Sequence, residues 1–357
     1  MNNDLYRRLL CALALSAAGV AGAVLAQTTP SSTADCHPIA NDTDRLACYD
    51  RVSGRGDVRT LPGPAAAPAA SAPPSPAAVV EVDRADGAEA GNRSLLTEAW
   101  GLDKSSRRYG LSLYRPNYVL VARYSNNPND RPSTPVSPAS AVLDEQLQST
   151  EAKFQLSGKL RFWTTDDRRW SLYAAYTQQN QWQLYNAPAS RPFRETNYMP
   201  EVFVTYAPNV SIVGVDVRVL SFGYTHQSNG RGEPLSRSWD RLFLEAGVER
   251  GDLAVFARAW YRIPEDNDKD TNPDITSYYG HGELNGLYRY GRHSFAGMVR
   301  GNPATRRGAV QLSWFSPPFL GPARGYVQLF SGYGESLIDY NWNQTTIGAG
   351  IALNDGL

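Results

Sequence analysis

The sequence predicts an all-β protein: a twelve-stranded antiparallel transmembrane β-barrel behind a short disordered N-terminal extension. Three observations carry this. From about residue 110 onward, apolar residues recur with period two and helix-period patterns are rare. Short and long connections alternate between these segments. Composition is rich in Tyr (20) and Trp (8) and poor in Met (3) and Cys (3), as in β-rich secreted and membrane-barrel proteins. The 357 residues hold 35 Lys+Arg and 35 Asp+Glu. This balance argues against a general nucleic-acid binder, which would carry a basic excess. A hydrophobic share of 42% against 20% charged excludes a wholly disordered chain. Past residue 27 no run of 18 apolar residues occurs, which excludes helical membrane spans.

Residues 1–26 read as a secretory signal. Arg7 and Arg8 supply the charged start and Leu9 to Leu25 the apolar run; Val24 and Ala26 are small residues at the cleavage spacing. A membrane anchor is the alternative, and the shortness of the run before a polar tail favours cleavage. Residues 27–60 form a small segment that keeps Cys36 and Cys48 after Cys11 leaves with the signal. In an oxidising compartment two thiols most simply form one disulfide. A metal site is disfavoured, because His37 is the only soft partner nearby. Residues 61–92 are a linker; the Pro/Ala/Ser run over 61–80 cannot bury a core. The barrel domain then spans 93–357.

Within it, residues 153–162 place Phe154, Leu156, Gly158, Leu160 and Phe162 on one face. Lys153, Gln155, Ser157, Lys159 and Arg161 lie on the other, which suits a wet lumen. Leu253, Val255, Ala257, Ala259, Tyr261 and Ile263 share a face, as do Ile347, Ala349, Ile351 and Leu353 in the last strand. Short links are expected near 164–169, 207–211, 250–252, 290–293 and 316–323. Longer ones are expected at 126–151, 186–196, 227–237, 264–277 and 301–307, with another near 334–341. The strands between them number twelve, and an even count leaves both barrel ends on the side of the tight turns. Tyr278, Tyr279, Tyr288, Tyr290, Tyr333 and Tyr340 cluster near strand ends, as interfacial girdles do. A soluble all-β domain is the alternative.

The stretch 220–241, LSFGYTHQSNGRGEPLSRSWDR, carries the chemistry. The chain has no G-x-S-x-G, Walker or H-E-x-x-H pattern. What remains is His226 and Ser228, two apart and so on one strand face, where an imidazole can serve a serine hydroxyl as base. If the hairpin is centred on Glu233, in the Gly232-Glu233-Pro234 turn signal, paired residue numbers sum to 466. His226 then faces Asp240 and Ser228 faces Ser238, so a nucleophile, a base and an orienting carboxylate can meet. Leu220, Phe222 and Tyr224 share the parity of His226; Leu242, Leu244, Ala246 and Val248 share that of Asp240. The site is therefore expected on the outer, lipid-facing wall near the rim of the long loops. Val213, Val215, Val217 and Val219 have the opposite parity, which a bulge near 219–221 would reconcile. The plain alternative is a solvated loop.

The strings His226-Gln227-Ser228-Asn229-Gly230-Arg231 and Ser236-Arg237-Ser238-Trp239 closely resemble the bacterial outer-membrane phospholipase A family. So do residues 193–198 (FRETNY), 272–276 (NPDIT) and 331–341 (SGYGESLIDYN). The resemblance covers most of 110–357 and places the chain in the outer membrane of a Gram-negative cell. It implies hydrolysis of phospholipid acyl esters, with Ser228 as nucleophile, His226 as base and the Gly230 amide as oxyanion donor. It also implies calcium and activation as a homodimer. Arg231, through its carbonyl, and Ser236 match calcium contacts, and Ser190 matches one donated by the partner subunit. Oxygen donors of this kind suit a hard cation. Asp240 departs from the family's usual Asn as third member, and Asn354-Asp355-Gly356-Leu357 lacks a terminal aromatic. His281 and His293 are read as interfacial. Glu265, Asp266, Asp268, Asp270 and Asp274 form an acidic loop, solvated or binding a second calcium. Arg241, Glu245 and Glu249 read as a lumen network. The competing function is a non-enzymatic channel or structural barrel, for which His, Ser and Asp on the apolar parity would have no purpose. A binding role for the 27–60 tail has no support beyond the disulfide.

Overall fold

A computed structural model describes residues 32–39, 41–53, 94–137, 147–266 and 269–357. The signal segment 1–26 and the linker 61–92 lie outside the described residues. In the N-terminal unit, a 3-10 turn (Thr33–Cys36) and helix α1 (Asp42–Val52) are joined by the expected disulfide, Cys36–Cys48.

In the second unit, α2 (Leu95–Trp100) precedes two short strands lying end to end against one neighbour, β1 (Gly110–Leu113) and β2 (Tyr118–Ser125). Then follow β3 (Thr150–Thr164), β4 (Trp170–Trp182), β5 (Phe193–Tyr206), β6 (Val210–Ile212), β7 (Val215–Ser228) and β8 (Ser238–Arg250). The chain continues through β9 (Leu253–Arg262), α3 (Thr276–Tyr279), β10 (Gly282–Tyr290), β11 (His293–Asn302), β12 (Arg307–Leu320), β13 (Ala323–Tyr333) and β14 (Asn343–Ala352). Among the described residues all strand pairs are antiparallel; β2 joins β14 and the ring closes through β3–β4, so twelve of these strands form the wall and no long edge among them is left open. β1 and β6 are short additions paired with β3 and β7.

Two links and one bulge differ from the sequence reading. The 316–323 link is only residues 321–322, because β12 and β13 pair out to Leu320↔Ala323. The 301–307 connection is only residues 303–306, because β11 and β12 pair out to Asn302↔Arg307. The bulge in β7 lies at Val217/Val219, slightly earlier than 219–221, and it buries Val219 while turning Leu220 outward.

The period-two pattern sorts the side chains. Leu156, Leu160, Phe162, Phe222, Leu244, Leu312 and Ile347 are exposed on the outside. Lys153, Ser157, Lys159 and Arg161 are buried inside. The interior is less a water channel than a lattice of charge. Arg123 bridges Glu151 (2.7 Å) and Glu335, Lys153 meets Glu335 (3.0 Å), and Arg194 reaches Glu151 and Asp339 at 3.0 Å each. Nearer the tight turns, Arg258 joins Glu201 (2.6 Å) to Glu245 (2.7 Å), and Glu249 holds Arg218 at 2.8 Å. Burying such ions is tolerable only because each finds partners of opposite sign. The C-terminal Asp355 does the same with Arg289 and Arg324, at 3.1 Å each.

Helix α2 fills the tight-turn end of the lumen. Ser94 caps it, accepting from the Thr97 amide, and Gly101 ends it in the left-handed region, φ 57°. The Leu96 amide donates to Glu249 Oε2 at 2.9 Å, and Arg161 donates to the Gly101 carbonyl at 2.7 Å. Trp100 sits among Tyr114, Tyr173, Phe203 and Phe256, with Lys159 Nζ 3.7 Å above its ring.

Candidate active site

The hairpin β7–β8 has the register that its turn signal implies: His226 faces Asp240 and Ser228 faces Ser238. Leu220, Phe222, Leu242 and Leu244 lead up to them on the exposed side. His226 and Asp240 therefore stand on the outer wall, near the rim of the long loops. Their side chains remain 36% and 28% exposed. His226 Nδ1 lies 2.8 Å from Asp240 Oδ1. With the carboxylate accepting, Nδ1 carries the proton and Nε2 is left with its lone pair. The Tyr224 hydroxyl donates to the same oxygen at 2.5 Å.

Ser228 is two residues beyond His226 on this face, flanked by Tyr198 on β5 and Ser238 on β8. Among the described residues no hydrogen bond joins Ser228 to His226. Such bonds commonly tighten only when substrate arrives.

The opposite face of the same hairpin is a rigid backing. Gln227 Oε1 accepts from Trp239 Nε1 (3.1 Å) and Arg241 (3.0 Å), and the Arg241 guanidinium lies 3.8 Å over the Trp239 ring. Trp239 is fully buried and packs edge-on against Trp260 and Tyr279. Two contacts from the 263–281 loop hold β8 from the other side. The Ile263 amide donates to the Asp240 carbonyl (2.9 Å), and Asn272 Oδ1 accepts from the Ser238 amide (3.0 Å).

The loop 229–237 is organised by buried Asn229. Its Oδ1 accepts from the Arg231 and Arg237 amides (3.3 and 3.0 Å), and its Nδ2 donates to the Leu235 carbonyl (2.8 Å). Gly230 follows at φ 65°, and a Cβ there would fall 2.9 Å from Tyr198 Cε2. Both facts call for glycine. Arg231 anchors its side chain on the Phe193 and Arg194 carbonyls and lies 3.6 Å from Glu195 Oε2. Ser236 stands five residues on in the same loop, and its carbonyl accepts from Arg237 at 2.6 Å. Among the described residues, no donor occupies the Arg231 carbonyl or the Ser236 hydroxyl. Ser190 belongs to a different loop, 183–192, where it is exposed at φ 60°. It makes no hydrogen bond to Arg231 or Ser236.

The acidic loop is tied by cations. Asp270 pairs with Arg262 (2.7 Å) and Asp266 with Lys269 (2.9 Å), while Asp274 accepts from the Tyr340 hydroxyl (2.5 Å). Asp268 lies outside the described residues. Burial and then Asp270 hold the Glu265 carboxyl above its ordinary range, and Asp240 adds to this against Arg262 and His226. His293 stacks on Trp314 and accepts its indole N–H at 3.3 Å; its neighbour in kind, His281, offers a backbone carbonyl to Trp260. Three residues of the site were not singled out for a role from the sequence. Tyr224 reads there as an apolar lead-in, although it lies two residues before His226 on the same face. Asn229 and Asn272 sit inside the family-like strings without a visible role.

A family model described as Phospholipase A1 matches residues 96–353. The chain belongs to the phospholipase A1 family. A putative phospholipase A1 of Neisseria meningitidis is 38% identical over 271 residues, which is 73% of this chain and 70% of that protein. A phospholipase A1 of Escherichia coli K12 is 38% identical over 255 residues, 71% of this chain and 85% of the relative. Among solved structures, outer membrane phospholipase A from Escherichia coli superposes with a TM-score of 0.65 at 35% identity, covering 74% of this chain and 98% of that one. An active-site mutant of that enzyme, with an Asn replaced by Ala, also gives 0.65, at 34% identity over 74% of this chain and all of the other. The Salmonella typhi outer membrane phospholipase dimer with bound calcium gives 0.63 at 36% identity, covering 70% and 94%. The twelve-stranded wall with its apolar exterior is thus an outer-membrane barrel of this phospholipase A1 family.

Proposed function

We propose that this protein hydrolyses the acyl ester bonds of phospholipids at the outward face of β7 and β8, with calcium as cofactor and as a homodimer. The observation that carries the reading is the 2.8 Å pair between His226 Nδ1 and Asp240 Oδ1, with Ser228 two residues on along the same outward face. A polar cluster on an apolar wall is expensive unless it acts on something in the bilayer. Ser228 Oγ attacks the acyl carbonyl. His226 Nε2 takes the hydroxyl proton and returns it to the leaving alcohol. Asp240 holds the imidazole tautomer and stabilises the cation that forms. The Gly230 amide donates to the oxyanion. Water then releases the fatty acid by the same base.

The donor set suits calcium. The Arg231 carbonyl and the Ser236 hydroxyl are neutral oxygens from one loop, and Ser190 of a second copy would add a third. When bound, the ion would supply positive charge for the developing oxyanion. The dimeric, calcium-bound relative supports both this reading and a homodimer. An active-site Asn in the solved Escherichia coli relative fits the resemblance, which gives Asn as the family's usual third member where this chain has Asp240.

The test is fatty-acid release from mixed phospholipid–detergent micelles by the refolded protein, with calcium or a chelator, beside Ser228→Ala. Release that needs both calcium and Ser228 is expected. No release from a folded barrel would return the function to a channel or structural role, and release that survives Ser228→Ala would place the chemistry elsewhere.

A further inference from the structure

Resting on the reading of Ser228 and His226 above, we propose that Tyr224 is a positioning residue for the imidazole, acting through Asp240. Tyr224 precedes His226 by two residues on β7 and projects from the same outward face. Its direct partner across the hairpin is Leu242, so Asp240 is its diagonal neighbour. Diagonal positions are within reach of a long aromatic side chain, and the phenol spans the gap, donating to Asp240 Oδ1 at 2.5 Å.

That oxygen is also the one that faces His226 Nδ1. A carboxylate with one donor can still turn about its own axis and carry the imidazole with it. Two donors on one oxygen, from the same strand but two residues apart, fix the carboxylate plane. They also divide the roles. Accepting from the phenol, that oxygen accepts from Nδ1–H as well, so Nε2 keeps its lone pair. The phenol has a second effect. Asp240 stands at the end of a run of apolar outward residues, Leu220, Phe222, Leu242 and Leu244, and a further donor satisfies another lone pair of its carboxylate where water is scarce. Phenylalanine at this position would keep the ring in the bilayer and remove only the hydroxyl.

Four variants test this in calcium-containing mixed micelles, each checked for a folded barrel by circular dichroism. Tyr224→Phe is expected to lower kcat about tenfold with KM unchanged, the mark of an interaction needed in the transition state. With Asp240→Ala already in place, the same change is expected to cost less than about twofold, because the two residues act as one unit. Tyr224→Leu is expected to match Tyr224→Phe. The proposal is overturned if Tyr224→Phe keeps full kcat, if KM rises alone, or if the loss is as large in the Asp240→Ala background. It is also overturned if Leu is impaired and Phe is not, since packing would then be the role. Ser228→Ala run in parallel separates the two readings. Hydrolysis that survives it removes the mechanism itself, whereas hydrolysis lost with Ser228→Ala and kept by Tyr224→Phe removes only the role of Tyr224.

Discussion

Asn229 and Arg237 close the loop beyond Ser228 by bonding to each other twice. The Asn229 amide donates to the Arg237 carbonyl at 3.0 Å, and the Arg237 amide donates to Asn229 Oδ1 at 3.0 Å. The side chain thus extends the β7–β8 ladder past its last pair. Asn229→Ala would leave the buried amide of Arg237 without an acceptor, at about 1–3 kcal/mol, and would also release the half-buried amide of Arg231. The expected result is a lower unfolding midpoint in detergent and a larger loss of fatty-acid release than the fall in stability explains. An active variant with wild-type melting would show the loop to be held by other contacts.

Gly230→Ala separates backbone shape from fold. Its left-handed φ and the 2.9 Å approach to Tyr198 leave no room for a methyl group. The change twists the amide proposed as oxyanion donor, a group worth about 10²-fold or more in other enzymes. A loss of that order in kcat is expected, with little change in the melting of the twelve-stranded wall. Steady-state kinetics beside a thermal melt decides it.

Asp240→Asn is expected to stay within about tenfold of wild-type hydrolysis, because an amide oxygen can still accept from Nδ1–H and hold the tautomer. Asp240→Ala is expected to fall much further. Near-complete loss in the Asn variant would mean that the charge itself is indispensable.

Glu335 gives a pH prediction. It lies in the 334–342 loop, folded into the lumen against Arg123 and Lys153. Burial alone would raise its carboxyl, but Arg123 and then Lys153 outweigh this and hold it at about 2. A depressed carboxyl contributes stability that is present above its unfolded value, about 4.3. That contribution is lost as pH falls from there through about 2. Glu335→Gln leaves two buried cations short of a partner and is expected to destabilise the barrel by about 3–5 kcal/mol at neutral pH. The difference from wild type should shrink across the acid window, as followed by urea unfolding at several pH values.

Trp100→Ala probes the other end of the barrel. The indole is enclosed by four aromatic rings and by Lys159. A truncation of this size costs about 3–5 kcal/mol. Stability should fall accordingly, while hydrolysis by the folded fraction stays unchanged, because α2 lies at the tight-turn end and Ser228 at the long-loop end.

Much of the barrel was legible because its signals are local. The two faces of 153–162 follow from the pleat, and the pairing of His226 with Asp240 follows from one turn signal and a count. What escaped depends on residues far apart in sequence. Glu335 meets Arg123 across 212 positions and Lys153 across 182, and no periodicity announces either. The same holds for Asn272 beneath Ser238, 34 residues away. Tyr224 escaped for another reason. A tyrosine suits an apolar face and a hydrogen bond equally well, and only geometry chooses between them. The 303–306 turn was overestimated because Asn, Pro and Gly residues mark a break without giving its length.

The outward direction of His226 and Asp240 fixes the geometry of supply. A site opening into water samples substrate from three dimensions, but one on the barrel's flank meets lipids sliding past it in a sheet. Encounter then scales with the fraction of susceptible lipid in the surrounding annulus. Diluting that lipid with inert amphiphile should slow turnover even when the total amount in the tube is unchanged.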